Sequence, residues 1–224
     1  MEVVIRIEKF LYFCNMDKVK NLLFDLGGVI MDIRRENAVV ALEALGLKDA
    51  DKLLGDYVQN GIFRSLEEGN ISPEAFDRAV RNYLPDKGKG VSDDAINRAF
   101  MKFLTGIPVH RLRTLEELHK TYKIYMLSNT NIIMWEGEIK QDFTVDGHDI
   151  DYYFDGIVTS FEAHSVKPDP GIFRYTIDKL GIVPEETLYL DDSELNLEAG
   201  ARFGFLTLHV PTDTEFADLL KCRL

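Results

Sequence analysis

Apolar residues run along this chain in two different periods, and the change from one to the other divides it. Leu22-Leu23-Phe24 is an unbroken apolar run that ends at Asp25. Two glycines follow, then a second apolar run, Val29-Ile30-Met31. A run of the first kind predicts a strand covered on both faces. From Arg34 to about Thr105 the spacing is helical, with no good strand. Apolar positions repeat from Asn37 to Leu45 and stop at Gly46, residues 51–58 suggest another helix, and Ile62 to Gly69 reads as a short helix closed by glycine. Ser72-Pro73-Glu74 and Ser92-Asp93-Asp94 are helix starts, each with a hydroxyl cap and the first with Pro at the first helical position.

From Pro108 onward helix and strand alternate. Helices are predicted over 110–120, 131–141, 170–180, 195–202 and 214–220, and strands over 122–127, 154–159, 187–190 and 205–210. Residues 142–151 read as an acidic loop. Strands separated by helices imply a parallel sheet covered on both sides. The fold class is therefore α/β: a Rossmann-like parallel core flanked by helices, with an α-helical insert after the first strand. The boundaries follow from the pattern: an N-terminal extension over 1–19, the core over 20–34 and 108–224, and the insert over 35–107. Met16 stands where a natural start would precede the first strand.

Composition narrows the chemistry. The 224 residues are 46% apolar and 29% charged, as in an ordinary soluble protein. A net charge of −12 argues against a nucleic-acid partner and against anionic membrane surfaces. Two cysteines, Cys14 and Cys222, point to a reducing compartment. The first fifteen residues lack the pattern of a signal peptide, and no stretch is long and apolar enough to span a bilayer. The expectation is a cytoplasmic protein, monomeric or homodimeric, whose partner is a small molecule. An anionic substrate would need local positive charge against this background.

Four polar clusters stand at or after strand ends: Asp25, Ser128-Asn129-Thr130, Lys167-Pro168-Asp169 and Asp191-Asp192. Each has an ordinary explanation taken singly, as a turn, a loop, a solvated lysine or a helix cap. Their ordered recurrence does not. In a parallel sheet the C-terminal strand ends share one edge, where ligands bind. Asp25 can serve as nucleophile or metal ligand. Asp191 and Asp192 add the hard oxygens that Mg²⁺ prefers. Lys167 supplies a fixed positive charge, and Ser128 and the Asn129 amide can donate to phosphate oxygens. Together the set describes phosphoryl transfer through an aspartyl-phosphate.

The four clusters resemble, in order, the motifs of the haloacid dehalogenase superfamily: Phe24-Asp25-Leu26-Gly27-Gly28-Val29-Ile30, Leu127-Ser128-Asn129, Lys167-Pro168-Asp169-Pro170 and Leu190-Asp191-Asp192-Ser193. The helical insert is similar to that family's cap. Gly69-Asn70-Ile71-Ser72-Pro73-Glu74-Ala75-Phe76 resembles a sugar-phosphate phosphatase branch that includes bacterial α-glucose-1-phosphate phosphatases. The resemblance implies Asp25 as nucleophile and Mg²⁺ ligand, the Gly27 carbonyl and Asp192 as further ligands, and Asp191 supporting through water. It implies that Ser128, the Asn129 amide and Lys167 hold the phosphate of a small phosphorylated metabolite, and that the cap selects the leaving group. One position departs from the pattern. Most phosphatases of the family carry an acid–base Asp two residues after the nucleophile, where this chain has Gly27. Asp32, Glu67 and His164 are candidates to replace it. Two other readings stay open: a ligand-binding or regulatory protein that has lost turnover, and a metal-free dehalogenase using the same Asp25.

Overall fold

Leu22, Leu23 and Phe24 are all fully buried, yet they belong to two separate cores. Leu22 and Phe24 face a large cluster on one side of the sheet, and Leu23 faces a smaller one on the other. Leu188 and Leu190 flank Tyr189 in the same way, as do Ile124 and Met126 beside Leu127. Side chains alternate across a strand, so an unbroken apolar run is what a strand between two helical layers requires. The structure, a computed structural model, describes residues 18–55, 59–221 and 223. The expected 1–19 extension (apart from its last two residues), Cys14, Cys222 and the end of the 51–58 helix lie outside the described residues.

Five parallel strands form the main sheet: β1 (Asn21–Phe24), β4 (Lys123–Ser128), β5 (Gly156–Thr159), β6 (Thr187–Asp191) and β7 (Leu206–His209), in the order β5-β4-β1-β6-β7. β1 lies at the centre. A second, two-stranded ribbon pairs β2 (Asp32–Ile33) antiparallel with β3 (Leu104–Gly106). The spacing of apolar residues predicts no strand in that region. Two and three residues are too few to show a period, so this ribbon corrects it.

Between β2 and β3 the chain is helical: α1 (Arg35–Ala44), α2 (Ala50–Leu53), α3 (Gly61–Glu67), α4 (Pro73–Tyr83) and α5 (Asp93–Met101). Ser72 and Ser92 cap α4 and α5, each hydroxyl accepting from the backbone N–H three residues on. Phe63, Phe76 and Phe100 from α3, α4 and α5 pack together with ring centroids 5.0–5.5 Å apart, extending the large cluster on that side of the sheet into the insert.

The later helices fall close to expectation. Pro170–Leu180 ends at Gly181, whose φ is +62°. Residues 132–142 are helical, but Trp135–Ile139 forms a π turn, and Trp135 packs on Phe161 at 6.3 Å. Two four-residue helices escaped the pattern, Ile150–Tyr153 across the end of the expected loop and Ser160–Ala163 after β5. Neither has the two turns needed to reveal a helical period. Among the described residues no helix is long and apolar enough to cross a membrane.

Candidate active site

Register brings the first, second and fourth clusters together. Phe24 pairs with Met126 on one side and Leu190 on the other, so Asp25, Leu127-Ser128 and Asp191 emerge beside one another at the sheet's C-terminal edge. The Asp25 N–H donates to the Leu190 carbonyl at 2.8 Å. The loop after β5 then carries Lys167 back over that edge. Asn129 fixes this loop, its side chain accepting from the Lys167 N–H at 2.8 Å and donating to the Lys167 carbonyl at 3.0 Å.

Lys167 is 1% exposed. Its ammonium lies 2.9 Å from Asp25 Oδ1 and 2.8 Å from Asp191 Oδ2, and donates to the Leu127 carbonyl at 3.1 Å. Burial alone would lower its pKa, but the two carboxylates outweigh burial and hold it charged. Asp191 is wholly buried. Its Oδ1 accepts from the Ser193 N–H at 2.8 Å and from Asn196 Nδ2 at 3.0 Å, and its Oδ2 accepts from Lys167 and from the Tyr189 hydroxyl. Four donors occupy both oxygens, which suits Asp191 to orienting Lys167. Tyr189 was not singled out in the sequence; its one signal is the two-residue spacing that puts it on the same strand face as Asp191.

Asp25 is 7% exposed and Asp192 only partly covered. Carboxylate oxygens of Asp25, Asp191 and Asp192 come within 4.8 Å of one another. Burial pushes the Asp25 carboxyl well above its ordinary range, Lys167 opposes this, and Asp191 and Asp192 add to it. Burial and then Asp191 push Asp192 up to about 6. Three carboxylates against one ammonium leave a formal charge of −2 in a mostly buried site. A divalent hard cation neutralises it, and oxygen donors are the ligands Mg²⁺ takes.

The turn after Asp25 is wound tightly. The N–H groups of Ile30 and Met31 both donate to the Leu26 carbonyl, at 2.9 and 2.8 Å. Gly28 sits at φ +76°, and a Cβ there would lie 2.4 Å from Asp192 Oδ2. Gly28→Ala is therefore expected to displace a candidate metal ligand besides straining the backbone by about 1–2 kcal/mol. A Mg²⁺ titration followed by calorimetry should show affinity reduced about 10–100-fold, as for loss of a group that orients a ligand; unchanged affinity would remove Asp192 from the metal site.

These residues line one small cavity of ≈ 80 Å³ between the sheet edge and the helical insert. That is far below the roughly 300–1,000 Å³ of ordinary ligand pockets, so the space between the insert and the sheet edge is narrow. Asp25, Gly27, Ser128, Asn129, Lys167 and Asp192 all border it. Of the three candidates for the missing acid, only Glu67 does. Asp32 is held by Arg111 at 2.8 Å, and His164 donates from Nδ1 to the Glu68 carbonyl at 2.9 Å. Gln59 also borders the cavity, with its buried Oε1 unpartnered among the described residues. It went unnoticed because nothing in its neighbourhood carries a motif.

A sequence model for haloacid dehalogenase-like hydrolases matches residues 19–204. The chain belongs to that family. Among its relatives is the D-ribitol-5-phosphate phosphatase of Bacteroides thetaiotaomicron, 35% identical over 84% of this chain and 90% of that protein. The crystal structure of a haloacid dehalogenase family enzyme from the same organism, in complex with magnesium and inorganic phosphate, superposes with a TM-score of 0.81 at 35% identity. It covers 90% of this chain and 98% of that one. The (S)-2-haloacid dehalogenase 4A of Burkholderia cepacia is 24% identical over 91% of this haloacid dehalogenase-like hydrolase and 90% of that enzyme.

Proposed function

We propose that the chain is a Mg²⁺-dependent phosphomonoesterase that acts through an aspartyl-phosphate on a small phosphorylated sugar or sugar alcohol. The observation that carries this reading is the Lys167 ammonium bridging Asp25 and Asp191 at 2.9 and 2.8 Å, beside Asp192, in one cavity. In it the insert, residues 35–107, works as a cap over a core made of 20–34 and 108–224. Asp25 attacks phosphorus. Lys167, the Ser128 hydroxyl and the Asn129 N–H receive the phosphoryl oxygens, where charge develops in the transition state. Asp191 keeps Lys167 in place. Mg²⁺, held by the Asp25 carboxylate, the Gly27 carbonyl and Asp192, supplies charge neutralisation of the kind metal-assisted phosphoryl transfer needs. The relative named for D-ribitol 5-phosphate and the neighbour crystallised with magnesium and phosphate support the substrate class and the cation. Dehalogenation is the poorer fit, because a metal-free site would keep an uncompensated negative charge beside the nucleophile that must attack.

The test is a phosphate-release screen over sugar phosphates, alditol phosphates, nucleotides and small organic phosphates. Turnover should appear with Mg²⁺, disappear with EDTA and return on adding Mg²⁺ back. Mg²⁺ at about 100 times its Kd should also stabilise the fold by about 2.7 kcal/mol. Because protons must leave Asp25 and Asp192 for the cation to bind, affinity should rise from pH 5 to pH 7. Turnover that ignores EDTA, with halide released from 2-haloacids, would overturn the reading.

A further inference from the structure

An ester of an ordinary alcohol expels an alkoxide unless a proton reaches the departing oxygen, and Gly27 has none to give. The insert carries a carboxyl on the opposite wall of the same cavity. Glu67 is the last residue of α3, is 8% exposed, and borders the cavity with Asp25, Lys167 and Asp192. Among the described residues its carboxyl makes no hydrogen bond and no ion pair. Its oxygens keep some accessible surface at a residue that borders the cavity, so a ligand seated there can supply the partner that the protein does not.

The contacts around Glu67 seat it over the Lys167 loop. Arg64, one turn earlier, reaches Asp169 at 2.7 Å. His164 Nδ1 donates to the Glu68 carbonyl. Gly69 presses so close to Phe161 that a Cβ would lie 2.3 Å from its carbonyl oxygen. The charged groups that act on it are Arg64 and Glu68 on its own segment and Lys167 across the cavity; Asp25 and Asp192 line the same cavity. Arg64 is already engaged by Glu68 and Asp169, both at 2.7 Å. Burial dominates and pushes the Glu67 carboxyl up to about 8, so it carries a proton at neutral pH.

We propose that Glu67 is the general acid–base of the reaction, brought by the helical insert to do what a core aspartate two residues after Asp25 does not do here. This rests on the phosphomonoesterase reading. As Asp25 attacks phosphorus, the bond from phosphorus to the alcohol oxygen breaks, its electron pair stays on that oxygen, and the proton of Glu67 joins it. The alcohol leaves neutral and Glu67 is left as carboxylate. Water then attacks the phosphorus of the aspartyl-phosphate and gives a proton to Glu67. The bond from phosphorus to Asp25 breaks with its pair returning to the carboxylate, and orthophosphate departs. Both side chains end as they began. The acid is present only while the insert is closed, so proton transfer is tied to closure.

The experiment compares Glu67→Gln with the native chain on two esters: the best alkyl phosphate from the screen above, and p-nitrophenyl phosphate, whose phenolate departs without a proton. The first turnover on the alkyl ester should slow by about 10²–10³-fold, and the first turnover on p-nitrophenyl phosphate should stay within about threefold of native. Later turnovers on p-nitrophenyl phosphate should slow, giving a burst of one equivalent, because the second step lacks its base. Equal slowing of both first turnovers would assign Glu67 a structural role, and slowing of neither would assign it none; either overturns the proposal. Asp25→Asn separates the two failures. Turnover surviving in that variant overturns the covalent reading and Glu67 with it. Turnover lost there, with Glu67→Gln indistinguishable from native, overturns Glu67 alone.

Discussion

Asp25→Asn is expected to reduce phosphate release by about 10⁴-fold or more, the scale of losing a nucleophile, while leaving the chain folded. An amide oxygen is a poor nucleophile but keeps the shape, and it can still accept from the Leu26 N–H and from Lys167, where Asp25 Oδ1 now sits at 2.6 and 2.9 Å. The electrostatics favour the variant as well. Burial, with Asp191 and Asp192 nearby, pushes the Asp25 carboxyl up, so the ionised group is held at a cost that asparagine does not carry. Without Mg²⁺ the melting temperature should stay level or rise. With Mg²⁺ the native protein should gain and the variant should gain less, since one ligand is missing. Phosphate release and melting curves with and without Mg²⁺ decide it. A fall in melting temperature beyond about 2–4 °C, roughly 1 kcal/mol for a chain this size, would mean that Asp25 holds the fold and that lost activity says little about a nucleophile.

What sequence alone could show follows from how each feature is encoded. The sheet was legible because β1 and β6 are buried on both faces, so their residues run apolar without a break, and because a carboxylate interrupts each run where it meets the edge. The pairing register that sets Asp25 beside Asp191 is long-range and leaves no local mark, yet any parallel arrangement would align the strand ends. The β2–β3 ribbon was invisible for the opposite reason: it is two and three residues long. The linkage between clusters was also hidden. That Asn129 would grip the Lys167 backbone, and that Tyr189 would hold Asp191, depends on side chains meeting across strands. Glu67 was one name among three; only its exposure, its lack of partners and its place on the cavity set it apart from Asp32 and His164. The helical insert was readable as helices from Ser72 and Ser92, but which side chains it turns toward the core was not.

Lys167→Met should be the most damaging single change in the molecule, and its damage should depend on pH. Methionine fills the space of the aliphatic stem, so an empty cavity is not the cause. What disappears is the ammonium that stands within 2.9 Å of Asp25 and 2.8 Å of Asp191. Removing one partner of a buried ion pair typically costs about 3–5 kcal/mol, because the other charge is left uncompensated. Here two carboxylates are left. The direction with pH follows from the folded-state pKa of Asp25, which is raised even with Lys167 present and must rise further without that ammonium. A carboxyl with a raised folded pKa contributes its full stability below its unfolded value of about 3.9 and loses it as pH climbs through the folded value. The variant should therefore be distinctly more stable at pH 5 than at pH 8 in the absence of Mg²⁺, whereas the native protein changes less across that interval. Adding Asp191→Asn should recover part of the stability at pH 8. Activity should not return, since the phosphoryl oxygens still lack their fixed cation, a loss of about 10³-fold or more. Urea midpoints at the two pH values, for native, single and double variants, are the measurement. Equal midpoints at pH 5 and pH 8 for Lys167→Met would show that the lysine does not carry the buried charges of this site, and the chemistry assigned to the cluster would lose its basis.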